Sequence, residues 1–160
     1  MKSEEIVRRT IEFKTPPRLP FYQSVMSDVP SDVLEIREMD RSKAGWFFDR
    51  PGMDDWGCRW AITEIKNMGQ VVEHPLTDRS AIDGYIPPDP HDSYYYERID
   101  PLIEQANDRY VVITCHFNLI ERLHMLRGFI GTMEDFYLAT EQTNYLLDMI
   151  LDNRLGIVHK

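Results

Sequence analysis

The chain has 160 residues, 42% of them hydrophobic, and carries 18 Lys and Arg against 27 Asp and Glu for a formal net charge of −9. That length fits one domain with a sizeable core, and the acidic excess argues against nucleic acid or an anionic membrane as main partner, since either needs a clustered basic face. Cys58 and Cys115 are too few and too far apart for a disulfide framework or a four-cysteine metal site. With no signal-peptide-like start and no apolar run near the roughly 18 residues of a membrane span, a reduced, cytoplasmic setting is expected.

Ser3 is placed to cap a first helix running to about Phe13, with Ile6, Val7 and Ile11 on one face and Thr15-Pro16-Pro17 stopping it. Arg18-Leu19-Pro20-Phe21-Tyr22 reads as the start of a strand, because its proline is tolerated only at a strand start or edge. A polar connection follows, then an extended piece over Gly45-Trp46-Phe47-Phe48-Asp49. Gly57 to Ile62 alternates, with Cys58, Trp60 and Ile62 on one side, and Gln70-Val71-Val72-Glu73 can pair with it across Lys66-Asn67-Met68-Gly69 as a β-hairpin. Residues 77–92, punctuated by Pro and Asp, read as connector, and Ser93 can cap a helix over Tyr94 to Ala106 that absorbs Pro101 with some distortion.

Tyr110-Val111-Val112-Ile113-Thr114-Cys115 is a continuous β-branched run, as expected of a parallel strand covered on both faces, and should be the most buried strand. Two helices are predicted at about Leu119 to Leu126 and Thr132 to Leu138, separated at Arg127-Gly128. A third begins near Glu141, with Tyr145, Leu146, Met149 and Ile150 at helical spacing. A parallel strand needs neighbours to satisfy its backbone, and no second one follows. The expectation is the front part of a longer α/β barrel.

Several segments then carry a family resemblance. Thr10 to Pro20 resembles the helix and P-D-R-(V/I)-P opening of uroporphyrinogen decarboxylase-like proteins. Asp54 to Trp60, His74-Pro75-Leu76-Thr77-Asp78, Pro88-Asp89-Pro90 and Leu126-Arg127-Gly128 resemble that family's D-E-W-G, H-P-L-x-D, P-D-P and L-R-G segments, in order. The resemblance spans nearly the whole chain. It implies that residues 1–160 are the N-terminal portion of a (β/α)8 TIM barrel, with an N-terminal helix and a β-hairpin insertion. Such barrels hold their active site at the C-terminal strand ends and typically need about 250 residues.

The family implies two chemistries. Its decarboxylases (carboxy-lyases of tetrapyrrole synthesis) remove carboxylates without a cofactor, an aspartate bonding the pyrrole N–H groups and arginines holding substrate carboxylates. Its methyltransferases move a methyl group between a corrinoid protein and an acceptor, with a histidine and cysteine zinc site later in the barrel. The arginine-rich P-V-W-x-M-R-Q-A-G-R opening of the decarboxylases is replaced here by Leu19-Pro20-Phe21-Tyr22-Gln23-Ser24, which favours the methyltransferase-like branch. No cofactor is expected within this chain; zinc and a corrinoid belong to the full-length protein. Two other readings stand beside it: a non-catalytic fragment or half-barrel subunit that pairs with a second half, and a self-contained small α/β binding domain.

Candidate catalytic residues are Asp54, His116 and His124, and candidate substrate-binding residues are Trp56, Trp60 and Arg127. By the resemblance Asp54 matches the aspartate that faces the pyrroles, where a fixed carboxylate can accept several N–H bonds; otherwise it is a turn aspartate. His124 stands where the decarboxylases carry a substrate-facing tyrosine, and a histidine there can relay a proton near neutral pH; otherwise it is a helix-surface residue. His116 ends the β-branched run, at the edge where barrels gather catalytic groups; otherwise it is a hydrogen-bonded strand-end histidine. Trp56 and Trp60 can wall an aromatic ligand or fill the core, and Arg127 can bind a substrate carboxylate or pair with Glu134 or Glu121. Asp55 reads as solvated, His74 as orienting the hairpin end before its proline, and Cys115 as a small core residue. Cys115 and His116 point to opposite faces and form no zinc site.

Overall fold

A computed structural model describes residues 1–22, 30–37, 41–46, 50–62, 64, 69–138 and 140–159. In chain order the elements are α1 (Ser3–Ile11), β1 (Val33–Ile36), β2 (Gly52–Met53), β3 (Arg59–Ala61), β4 (Gln70–Glu73), α2 (Ile99–Glu104), β5 (Tyr110–Ile113), α3 (Leu119–Leu138) and α4 (Glu141–Val158). This is a mixed α/β chain with small, open sheets, and the described strands close no barrel. It divides into two compact units: Met1–Met39 with Tyr95–Thr114, and Asp40–Tyr94 with Cys115–Lys160.

In the first unit α1 buries Ile6 and Val7, whereas Ile11, expected on the same face, is the helix's last residue and is exposed. Ser3 does not cap the helix; its hydroxyl donates to Asp32 Oδ1 at 2.6 Å, and the Glu4 N–H donates to the Asp108 carbonyl instead. Glu4 and Glu5 in the first turn and Arg8 and Arg9 in the last oppose the helix dipole and pair at i,i+4. Residues 18–22 form no strand. They wrap the Asp32 carboxylate, which accepts both Arg18 Nη groups, at 2.6 and 2.7 Å, and the Phe21 N–H at 2.7 Å. The Arg18 guanidinium holds that carboxyl well below its usual range.

The segment expected as polar connection contains β1, which pairs in parallel with β5 from Val33↔Tyr110 to Ile36↔Ile113. Four residues interrupted by Glu35 are too short to show a period, so only the pairing reveals the strand. Residues 110–113 are correspondingly less buried than their composition suggests: β5 has one partner among the described residues, and Ile113 is 47% exposed. The helix expected over 94–106 is a single 3-10 turn at Ser93–Tyr95, followed by α2. Starting α2 at Ile99 puts Pro101 in the first turn, where a missing N–H leaves no intrahelical bond unmade.

In the second unit β2, β3 and β4 form an antiparallel sheet, and β3 with β4 is the expected hairpin, paired at Trp60↔Val71 and Ala61↔Gln70. Its turn at residues 65–68 and residues 47–49 of the expected extended piece lie outside the described residues; Gly45 itself bridges to Met53. Gly69, at φ +79°, closes the hairpin where a Cβ would stand 2.4 Å from the Ala61 carbonyl oxygen. The two predicted helices are the two limbs of α3, broken at Gly128 (φ 74°, ψ 166°). Thr140 caps α4 by accepting from the Thr143 N–H, and Leu146 and Ile150 are fully buried while Tyr145 is exposed. The core gathers Trp46, Trp56, Cys58, Trp60, Leu76, Ile82, Phe117, Leu123 and Leu126 with those two residues, and Trp46 stacks on Trp60 with ring centres 4.4 Å apart.

Candidate functional site

Asp54 opens a tight turn in which the Gly57 N–H donates to the Asp54 carbonyl and the Asp54 N–H to the Cys58 carbonyl, both at 2.9 Å. Gly57 sits at φ +77°, a conformation that favours glycine. The Asp54 side chain is 4% exposed and accepts four hydrogen bonds. Oδ1 takes the Trp56 and Cys58 N–H groups at 3.0 and 2.8 Å, and Oδ2 takes Trp60 Nε1 at 3.0 Å and Arg122 Nη1 at 2.9 Å. The guanidinium of Arg122 lies 4.8 Å over the Trp56 ring, and that of Arg154 5.5 Å from the same ring. Asp55, read as solvated, instead accepts from the Ser42 hydroxyl and the Lys43 and Ala44 N–H groups and ties down that loop.

Arg127 is buried and pairs with neither Glu121 nor Glu134. Its Nε and Nη2 reach Asp135 at 2.7 and 3.2 Å, and its Nη1 donates to the Leu76 and Thr77 carbonyls. Arg79 adds a second cation to Asp135 at 2.5 Å. Asp135 was missed in the sequence because its partner lies two turns along across a helix break. Gly128 explains the neighbouring contacts: by ending the first limb of α3 it frees the last carbonyls from intrahelical bonding. The Met125 carbonyl accepts from Cys58 Sγ at 3.3 Å and meets His74 Nδ1 at 2.8 Å, and the Leu126 carbonyl accepts from the Leu76 N–H at 2.9 Å. Burial pushes the Cys58 thiol pKa well up, which keeps it the protonated donor this bond needs. A carbonyl partner likewise assigns the proton to His74 Nδ1, leaving Nε2 an acceptor in the neutral ring.

A cavity of about 430 Å³ lies beside this junction, lined by Trp60, Gln70, Val71, His74, His124 and Phe129, with Met125 and Gly69. It brings together Trp60 and His124, two candidates from separate motifs. Asp54 stands one hydrogen bond behind its wall, through Trp60 Nε1. His124 is exposed and sits edge-on to Phe129, ring centres 5.6 Å apart. His116 is half-buried beside Phe117 and does not line the cavity; nor do the buried Trp56 and Arg127. His74, expected to orient the hairpin end, is held by the Met125 carbonyl and also lines the cavity.

Gly128 has a further duty here. Its φ/ψ pair is a region essentially restricted to glycine, and a Cβ on it would stand 3.3 Å from His74 Cδ2. Gly128→Ala is expected to cost about 1–3 kcal/mol and to shift the His74 ring protons. Thermal melts with histidine NMR read both, and a variant matching the parent in each would sever glycine from the His74 geometry.

Among the described residues no three His, Cys, Asp or Glu side chains gather as a metal site, and Cys115 accepts a hydrogen bond from Arg154 Nη1 at 2.8 Å. These residues do not fit a zinc ion. No described helix is long and apolar enough to cross a membrane. Compared with protein-family models, curated proteins and solved structures, the chain finds no match.

Proposed function

We propose that this chain supplies the front part of a uroporphyrinogen decarboxylase-like (β/α)8 barrel enzyme of the cytoplasm, nearer the corrinoid-linked methyltransferases than the decarboxylases. The cavity lined by His74 and His124 handles the ring of its tetrapyrrole or corrinoid ligand. The supporting observation is that Trp60 and His124, singled out from different motifs of the resemblance, line one cavity whose volume falls within the ~300–1,000 Å³ of small-molecule sites. Phe129, exposed, offers a flat apolar face to a ring, and Trp60, buried and stacked on Trp46, backs the cavity wall. His74 Nε2 accepts a ring N–H, and His124, exposed in the cavity wall, offers a second imidazole hydrogen-bonding group to the ligand. Asp54 acts as a positioning residue that fixes the Trp60 indole, its own lone pairs being taken by protein donors. No step is assigned to zinc. A corrinoid protein is the partner this reading expects.

The test is titration of the full chain with hydroxocobalamin and, separately, uroporphyrin, followed by tryptophan fluorescence. Saturable quenching by at least one is expected, weakened about tenfold by His124→Leu. Absence of saturable binding by either at about 100 μM would sink the reading. A second reading, a half-barrel subunit completed by another chain, is favoured by exposed Phe129, Ile130, Tyr137 and Leu138 on α3 and by the open pair β1 and β5. Concentration-dependent sedimentation without ligand binding selects it.

A further inference from the structure

Beyond its break, α3 is amphipathic in reverse. From Gly128 to Leu138 the residues turned inward are Gly128, Thr132 and Asp135. Polar bonds hold them there: the Thr132 hydroxyl donates to the Gly128 carbonyl, and the Asp135 carboxylate pairs with Arg127 and Arg79. The apolar side chains Phe129, Ile130, Met133, Phe136 and Tyr137 face water instead, Ile130 at 73% exposure and Tyr137 at 89%. Spaced i, i+1, i+4, i+7 and i+8, they form one stripe roughly 120° wide at the helical period. A surface helix ordinarily turns such a stripe into its own core.

Size and charge say what covers it. At about 200 Å² for a side chain of this size, the stripe leaves roughly 600 Å² of apolar surface in water. That is the upper end of the ~300–600 Å² of the largest patch on a typical monomer, yet below the ~800 Å² each partner gives to a standard interface. A single helix laid along the stripe covers it, whereas a folded subunit asks for more. From Gly128 to Asn153 there is no Lys, Arg or His, while Glu134 on the same limb and Glu141 at the start of α4 are exposed. A second copy of the stripe brings carboxylate towards carboxylate, which like-charge repulsion opposes. A helix with one apolar face flanked by Lys or Arg meets both the stripe and its acidic surroundings. We propose that the second limb of α3 is the docking face for a basic amphipathic helix of a partner protein. Phe129 is shared with the mouth of the histidine-lined cavity, but Ile130 and Tyr137 are not, and the docking face does not depend on the barrel assignment.

The test titrates the full chain, at about 0.15 M NaCl to screen diffuse attraction, with three synthetic peptides of about five helical turns. These are a Leu/Lys amphipathic helix, its Leu/Glu counterpart, and the Leu/Lys composition reordered to give no apolar face. Calorimetry reads affinity, and the Ile130 and Met133 methyl NMR signals read location. Saturable binding of the Leu/Lys helix alone, moving both methyl signals, is expected. Ile130→Ala with Tyr137→Ala should weaken it at least about tenfold and leave the melting temperature in place, since both side chains stand in water. The proposal is overturned if the methyl signals stay put, if the Leu/Glu or reordered peptide binds as tightly, or if the double variant binds unchanged. Sedimentation showing the free chain already paired through this face, or capture by phosphatidylcholine vesicles in preference to the peptide, overturns it as well.

Discussion

Asp135→Ala should be the most damaging single substitution in the second unit, costing about 3–5 kcal/mol, the range for breaking a buried ion pair from one side. The reason is what remains. Arg127, 2% exposed at its side chain, would keep its charge in the interior with only the Leu76 and Thr77 carbonyls to meet it. Against a typical domain stability of about 5–15 kcal/mol, the loss corresponds to a fall in melting temperature of roughly 6–20 °C. Arg127→Met combined with Asp135→Leu should recover much of it, since the deeply buried cation is gone and Arg79, which also loses its partner, is 30% exposed at its side chain and keeps water. Urea denaturation of the single and double variants checks both; a single variant within about 0.5 kcal/mol of the parent would show the pair to be unimportant.

Asp54→Ala is expected to rank next, at about 3–5 kcal/mol, with an effect that reaches the cavity. It strands Arg122 in the core and removes two turn hydrogen bonds and the anchor of Trp60 Nε1. Because Trp60 stacks on Trp46 and also lines the histidine cavity, near-ultraviolet circular dichroism should change along with stability, and ring-ligand affinity should fall with it. His124→Leu, by contrast, should lose ligand and keep the dichroism. If Asp54→Ala kept an unaltered aromatic spectrum, Asp54 would not be what fixes the indole.

The motif residues emerge as a connected lattice. The H-P-L segment bonds to the end of the first α3 limb through His74, Leu76 and Arg127, and the D-D-W-G turn reaches the same helix through Cys58 and Arg122. Gly128 organises this junction, because a helix that stops there presents bare carbonyls to both segments. Spacing along the chain hints at such a glycine but cannot say who meets the carbonyls.

The hairpin of β3 and β4, the break in α3 and the start of α4 were legible because each rests on local signals: alternation, a glycine, apolar residues at helical spacing. Strand β1 and the failed strand at 18–22 were not, since one exists only by pairing with residues 110–113 and the other is replaced by bonds to Asp32. Likewise the sequence could name Asp54, Arg127, His124 and Trp60 as chemically capable, because side-chain type and motif are properties of the chain itself. Which of them is locked into a buried ion pair and which opens onto a cavity was decided by tertiary structure alone. Burial and partnership depend on groups distant in sequence, and desolvation with its compensating hydrogen bonds exists only once those groups are brought together.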